Sequence, residues 1–308
     1  MHASPVAQNS WYVDVEYLGQ PYLIACGVLE TEAGLVLVDP GPAISLEGLT
    51  KSLADRGYTL NEVHALLLTH IHLDHAGATG SILAQYPDLQ VYVHHIGARH
   101  MVRPEKLLAS AKRIYGDQMD TLWGDFLPVP EANVHRLKGG EVLDVGGRTF
   151  EVAYTPGHAI HHVSFLDQQT GTAFVGDTAG MRVAGVDFIV PVAPPPDIDV
   201  ERWHESLDML RAWKPARLFV THYGPSEEVH KHLDVMARKL DTWSQDVRET
   251  LGRDASDHER AEAFHAEKMA VIRQQLSGAD LAPYERFGQP EASWYGLARY
   301  WRKNQDNG

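Results

Sequence analysis

From its start to about residue 225 the chain alternates short apolar runs with turn-forming residues, and then its period changes. Trp11 to Tyr17, Tyr22 to Leu29 and Leu35 to Val38 are strand-like segments, separated by Gly19-Gln20-Pro21 and Glu32-Ala33-Gly34. Ser45 to Arg56 reads as a helix closed by Gly57, where a residue tolerant of positive φ ends the last turn. Ala65-Leu66-Leu67-Leu68 has the length and apolarity of a buried strand, and Gly77 to Tyr86 follows as a helix. Val91 to Val93, Phe150 to Tyr154, Val163 to Leu166, Thr172 to Val175 and Arg217 to Val220 continue the strand rhythm. Asp199 is placed to cap a helix over Val200 to Trp213. Interleaved elements of this kind predict an α/β chain with sheets covered by helices.

Two regions depart from this rhythm. Between 101 and 131, Leu107, Leu108, Ala111, Ile114, Tyr115, Met119, Leu122, Trp123 and Phe126 recur at helical spacing, which predicts core packing or an apolar helical lid. After Pro225, Val229, Leu233, Met236, Leu240, Trp243, Val247 and Leu251 step by three or four, which is one long helix with a single apolar face. That face docks on the sheets or forms the seam of a homodimer. A further helix is expected over His258 to Leu276, and the aromatic end from Trp294 to Trp301 packs home, fills an interface or closes a pocket.

Composition limits the function classes. With 308 residues, 44% hydrophobic and 22% charged, the chain has ample material for a core. A prior of ~150 residues per domain suggests two domains. The pattern argues instead for one large unit, 1–225, with 101–131 as its insertion, and a helical extension, 226–308. Met1 to Asn9 has neither a basic start nor an apolar core, so no signal peptide is expected, and no window approaches the ~18 apolar residues of a membrane span. The single cysteine, Cys26, sits in an apolar strand as a small buried hydrophobe, which fits a cytoplasmic protein. A net charge of −14 without a Lys/Arg tract argues against nucleic-acid binding.

Chemistry concentrates in Thr69-His70-Ile71-His72-Leu73-Asp74-His75-Ala76-Gly77, an H-x-H-x-D-H pattern at the end of an apolar strand. His70 and His72 point the same way from an extended backbone and can grip one ion. Asp74 and His75, past the bend, can reach a second. A lone strand histidine is ordinarily structural, but burying three imidazoles and a carboxylate together without an ion would be costly. Downstream, three strand-like runs each lead through a small residue to a donor: Thr155-Pro156-Gly157-His158, Gly176-Asp177-Thr178 and Thr221-His222. Five histidines and two aspartates result, enough for two ions with one shared carboxylate.

These motifs, with Val38-Asp39-Pro40-Gly41, resemble in content and order the metallo-β-lactamase fold superfamily, and within it the glyoxalase II-like metallohydrolases, over about residues 11 to 225. The resemblance implies an αββα sandwich. It assigns His70, His72 and His158 to one metal, Asp74, His75 and His222 to the other, and Asp177 to a bridge between them. Asp39 matches a position that supports the ligands from behind. Cys26 lies far from the cysteine ligand of class B β-lactamases, and His72 replaces the glutamate of flavodiiron proteins. Thr178-Ala179-Gly180 lacks the tyrosine of acyl-homoserine lactonases, and the glutathione-binding basic residues of glyoxalase II proper have no match.

A set of nitrogen and oxygen ligands without thiolate suits zinc, with iron or manganese as alternatives. The implied activity is dinuclear hydrolysis of a small ester, thioester or lactone by a shared hydroxide, coordination lowering the pKa of bound water towards ~7. Asp74 and Asp177 are the candidates to orient the nucleophile and shuttle its proton. Tyr223 is a candidate oxyanion donor, and His161 and His162 are candidates to support the ligands or touch substrate. His94, His95 and His100 are expected to be structural, His94 and His95 ending the strand Val91 to Val93 without needing to see the metals. Two other readings stay open: a phosphodiesterase acting on a nucleotide or small organophosphate, and a non-catalytic metal-binding protein. The partner expected is a small molecule rather than nucleic acid or membrane.

Overall fold

The computed structural model describes residues 3–182, 188–286 and 290–305, so short parts of both expected regions lie outside the described residues. One sheet runs, edge to edge, β1 (Ala3–Ala7), β2 (Ser10–Asp14), β3 (Ala25–Thr31), β4 (Gly34–Val38), β5 (Val63–Leu67), β6 (Gln90–His94) and β7 (Val134–Leu137). It is antiparallel from β1 to β4 and parallel from β4 to β7. The second runs β8 (Val142–Val145), β9 (Arg148–Tyr154), β10 (Val163–Asp167), β11 (Thr172–Phe174), β12 (Arg217–Val220) and β13 (Gly224–Ser226), antiparallel except between β11 and β12.

The two-residue period of the strands divides the apolar side chains between three layers. Val36, Val38, Ala65 and Leu67 meet Phe150, Phe165, Phe174 and Phe219 between the sheets. Leu35, Leu37 and Leu66 face the other way, under α1 (Leu46–Ala54), α2 (Leu73–Ala76), α3 (Thr79–Gln85), α4 (His95–Val102), α5 (Glu105–Tyr115) and α6 (Met119–Trp123). Leu218 and Val220 face outward from the second sheet into α7 (Val200–Trp213), α8 (Val229–Thr250), α9 (Asp257–Gln275), α10 (Ala282–Arg286) and α11 (Pro290–Gln305). This is the αββα sandwich. Cys26 is free and buried in the outer layer of the first sheet, as expected of a small hydrophobe.

The tail docks on its own sheet. The stripe of α8 is buried with Leu207, Leu210 and Leu218 in one core, so the residues offered to a neighbouring subunit are used inside the chain. The aromatic end packs home as well. Trp294 Nε1 donates to Thr250 Oγ1 at 2.8 Å and Trp301 Nε1 to the Ser244 carbonyl at 2.8 Å. No helix among the described residues is long and apolar enough to cross a membrane.

The expected strands over Trp11–Tyr17 and Tyr22–Leu29 are shortened. Asp14 accepts from the backbone N–H of Glu16 at 2.8 Å and of Tyr22 at 2.5 Å, which folds the intervening loop inward. At the end of the sandwich away from the ligand-bearing loops, Arg148 ties the two sheets together. It donates to both oxygens of Asp167, at 3.1 and 2.6 Å, and to the Asn9 and Glu30 carbonyls, with Arg148 1% and Asp167 0% exposed.

Candidate metal centre

β4, β5, β9, β11 and β12 all deliver their following loops to one edge, and each of those loops carries a predicted residue. Asp39, just past β4, takes a left-handed backbone (φ 52°) and is fully buried. Its Oδ1 accepts from the Thr69 N–H at 2.8 Å. Its Oδ2 accepts from Thr69 Oγ1 at 2.7 Å, Thr221 Oγ1 at 2.8 Å and His75 Nδ1 at 2.9 Å.

These contacts fix imidazole tautomers. The Thr69 hydroxyl gives its one proton to Asp39, so at 3.1 Å it accepts from His70 Nδ1. His158 Nδ1 donates to the Val192 carbonyl and His222 Nδ1 to the Leu23 carbonyl, each at 2.7 Å. In His70, His75, His158 and His222 the inward nitrogen is therefore Nε2. His72 is reversed, its Nδ1 lying 2.9 Å from His158 Nε2. The Val192 carbonyl is itself held in place, since the next residue, Ala193, donates its N–H to Ser293 Oγ on α11 at 3.0 Å.

The donors form two groups, His70/His72/His158 and Asp74/His75/Asp177/His222, and within each the ligand atoms lie within 4.8 Å of one another. Asp177 reaches both. Its Oδ1 is 3.2 Å from His75 Nε2 and 3.5 Å from His222 Nε2, while its Oδ2 is 3.5 Å from His158 Nε2. Two glycines make this possible. At Gly176 (φ 45°) a Cβ would lie 2.5 Å from Thr69 Oγ1 and 2.7 Å from His162 Nε2. At Gly157 (φ 131°) it would meet the Trp203 backbone at 2.4 Å.

The residues fit two divalent cations. His70 Nε2, His75 Nε2 and Asp177 Oδ1 are buried without a hydrogen-bond partner, although each points at the cluster. Burial and the neighbouring imidazoles hold His70 well below its usual pKa, and burial takes His158 to about 4, so both present lone pairs at neutral pH. Against the same burial, the carboxylates of Asp177 and Asp74 hold His75 and His222 above the usual value. The second group thus demands positive charge, which a divalent ion supplies.

The remaining predicted residues divide. His161 stacks on His70 (centroids 6.1 Å, 10°) and lines the cavity, its ring nitrogens without a hydrogen-bond partner among the described residues and its Nδ1 buried. His162 lies behind His70 (5.0 Å, 27°), its Nδ1 2.8 Å from Thr155 Oγ1. Tyr223 is corrected: its hydroxyl donates to Asp14 at 2.9 Å between the sheets and does not line the cavity, so it is no oxyanion donor. His94 stacks on Tyr154 and His95 bonds the Leu137 carbonyl, both away from the ligands, whereas His100 lines the cavity, against expectation.

That cavity, about 670 Å³, opens over Asp74 and Asp177. The 101–131 region supplies one wall through Leu107, Ala111, Ile114, Leu122 and Trp123, while Ala111 and Trp123 also belong to the core under the first sheet, with Leu107 and Leu122 packed against it. The opposite side is Val192 and Pro194 to Asp197, with Ala292 and Ser293 of α11. Sequence reasoning missed this second wall, and with it Arg99, Lys106 and Arg113, which line the same cavity.

The sequence profile of the metallo-β-lactamase superfamily matches residues 19–222. A metallo-β-lactamase fold-containing protein of Sulfurisphaera tokodaii is 32% identical over 197 residues, 62% of this chain and 73% of that one. The solved structure of an archaeal superfamily protein from Sulfolobus tokodaii superposes with a TM-score of 0.64 at 25% identity, covering 96% of this chain and 97% of that one. A hydroxyacylglutathione hydrolase of Synechococcus is 30% identical over 236 residues, 72% of this chain and 77% of that enzyme. The Legionella pneumophila enzyme of the same name is 28% identical over 189 residues, 60% of this chain, which spans only 56% of that relative's length.

Proposed function

Because the chain belongs to the metallo-β-lactamase superfamily, we propose that it is a dinuclear metal-dependent hydrolase of a small acyl ester, thioester or lactone. The observation that carries the reading is Asp177, whose two oxygens are divided between two groups of donors at the floor of a half-apolar cavity. His70, His72 and His158 would hold one ion, and Asp74, His75 and His222 the other, zinc first and iron or manganese as alternatives. When bound, such ions acidify a water and polarise a substrate oxygen.

The chain's own residues do the rest. Asp39, Thr69, Val192 and Leu23 keep four imidazoles in the tautomer that offers Nε2. Asp74, at the cavity floor, orients the attacking water and takes its proton. His161, with its Nδ1 buried, is best read as the tautomer that donates from Nε2 to a substrate oxygen. Leu107, Ala111 and Ile114 exclude water from one side. A buried free cysteine suits a reducing, cytoplasmic setting, and the partner is a small molecule rather than nucleic acid.

The test is a hydrolysis panel on zinc-, manganese- and iron-loaded protein, with lactones, thioesters and aryl esters set against phosphodiesters. Asp177→Ala should lose acyl hydrolysis and at least one metal equivalent, and full retention of both would overturn the assignment. His161→Phe should keep both metals and the ring stack while kcat falls by roughly 100- to 1,000-fold; an unchanged kcat removes His161 from the mechanism. Preference for bis(p-nitrophenyl) phosphate would move the protein to phosphodiester chemistry, and metal without turnover would make it a binding protein.

A further inference from the structure

Helix α5 presents two adjacent stripes to the cavity. Leu107, Ala111 and Ile114 form one, and Lys106, Ser110 and Arg113, each one residue earlier, form the other. The helical period places positions three and four apart in line, so the wall has an apolar edge and a basic edge side by side. Lys106 and Arg113 are separated by about 10 Å along the helix axis. Arg99 and His100 of α4 join the basic edge, Arg99 Nε donating to His100 Nε2 at 3.1 Å.

The chain has 27 basic and 41 acidic residues, and yet three cations converge here with no ion pair among the described residues. Asp197 also lines the cavity and lies within electrostatic reach of His100, but forms no ion pair with them. At the mouth, Leu18, Ile114 and Ile160 stay 41%, 43% and 42% exposed, an apolar rim beside the basic one. A rim with both characters matches an amphiphile better than a neutral ester or a compact polar anion.

We infer that the cavity binds an amphipathic anion, its apolar chain along Leu107, Ala111 and Ile114 and its carboxylate or phosphate held by Arg99, Lys106 and Arg113. Resting on the hydrolase reading, this makes the substrate an acyl ester or thioester that carries a negative charge away from the scissile bond. Its anion sits on α4 and α5, and its carbonyl reaches the floor at Asp74 and Asp177.

Two arms separate the anion seat from the reaction. In the first, metal-loaded protein is titrated calorimetrically with octanoate, octyl phosphate and octan-1-ol. At least one anion should bind roughly tenfold tighter than the alcohol, the sum expected of two or three exposed charge contacts. The relative strength of the two anions tells carboxylate from phosphate. The double variant Lys106→Glu/Arg113→Glu, checked for an unchanged melting profile, should lose the discrimination. Lys112→Glu makes half that charge change on α5, outside the cavity lining, and should keep it. Equal binding of anions and alcohol overturns the inference, as does a preference that survives the double variant, since the anion then sits on the metals. Sedimentation with anionic phospholipid vesicles, without binding of the monomeric amphiphiles, overturns it in favour of a membrane surface.

The second arm compares p-nitrophenyl octanoate with mono-p-nitrophenyl suberate, and octanoyl thioesters of 2-mercaptoethanol with those of 3-mercaptopropanoate. A higher kcat/KM for the charged member of either pair supports the inference and says which side of the ester carries the anion. If the amphiphiles discriminate as expected but no ester is cleaved, the hydrolase reading fails while the anion seat stands.

Discussion

Replacing Asp39 by Asn tests whether one carboxylate sets the protonation of both groups of donors. In the parent chain Asp39 accepts four hydrogen bonds and donates none, and it is completely buried. An amide keeps one acceptor oxygen. If that oxygen stays on the Thr69 N–H, the NH₂ faces Thr69 Oγ1, Thr221 Oγ1 and His75 Nδ1. The threonines can turn to accept, but Thr69 then directs its own proton to His70 Nδ1, and His75 Nδ1 faces a donor. Both imidazoles are driven to the tautomer with a proton on Nε2, the nitrogen aimed at the cluster. If the amide is reversed, the tautomers survive and the Thr69 N–H is left unpaired, at about 1–3 kcal/mol. The first arrangement weakens one ligand in each group. Loss of a partner behind a single metal ligand typically lowers affinity about 10- to 100-fold, so both ions should dissociate more easily. The assay is metal content by mass spectrometry after dialysis against graded chelator buffers, with imidazole ¹⁵N shifts reporting the tautomers of His70 and His75. Parental retention of both ions, with unchanged ¹⁵N shifts and no loss of thermal stability, would refute the reasoning.

Two further expectations follow from groups far from the ligands. Asp167→Ala strands a buried guanidinium, so the melting temperature should fall by an amount reflecting about 3–5 kcal/mol while metal content is preserved; an unchanged melting temperature, or lost metal, would show that Arg148 does not act as the clamp described. Burial takes the His94 pKa from 6.5 to about 4. In that window the unfolded chain gains a proton that the folded chain refuses, so His94 makes stability fall as the pH drops from 6.5 towards 4. His94→Phe, which keeps a ring against Tyr154, should lose less stability than the parent between pH 7 and 5 in urea titrations, and equal losses would contradict this.

The sequence made the first metal motif legible because four donors crowd one strand end, from His70 to His75, where backbone geometry leaves little freedom. His158, Asp177 and His222 were legible only as a repeated pattern of strand, small residue and donor, which the parallel and antiparallel ladders turned into one edge. The groups behind the ligands left less trace. Val192 and Leu23 act through backbone carbonyls, which carry no side-chain signature, and Asp14 draws Tyr223 away through contacts more than 200 residues apart in sequence. The basic stripe on α5 stands at helical spacing in the sequence, but Lys and Arg at such spacing look the same as an ordinary solvated helix face. β1 was missed because Ala3–Ala7 contains Pro5 and little apolar alternation, a composition tolerated at a sheet edge.

The bond from Ala193 to Ser293 has a consequence for the order in which the protein is made. Translation delivers His70 and His72 first and His158 much later, but the carbonyl that sets His158 is pinned by α11, which leaves the ribosome after every other described element. A nascent chain halted before that helix already holds all seven donors, yet the backbone beside Val192 lacks the Ser293 hydroxyl that accepts the Ala193 N–H. All seven donors are therefore translated before the contact that helps orient His158 through Val192 can form, and full positioning of that ligand waits on the docking of α11.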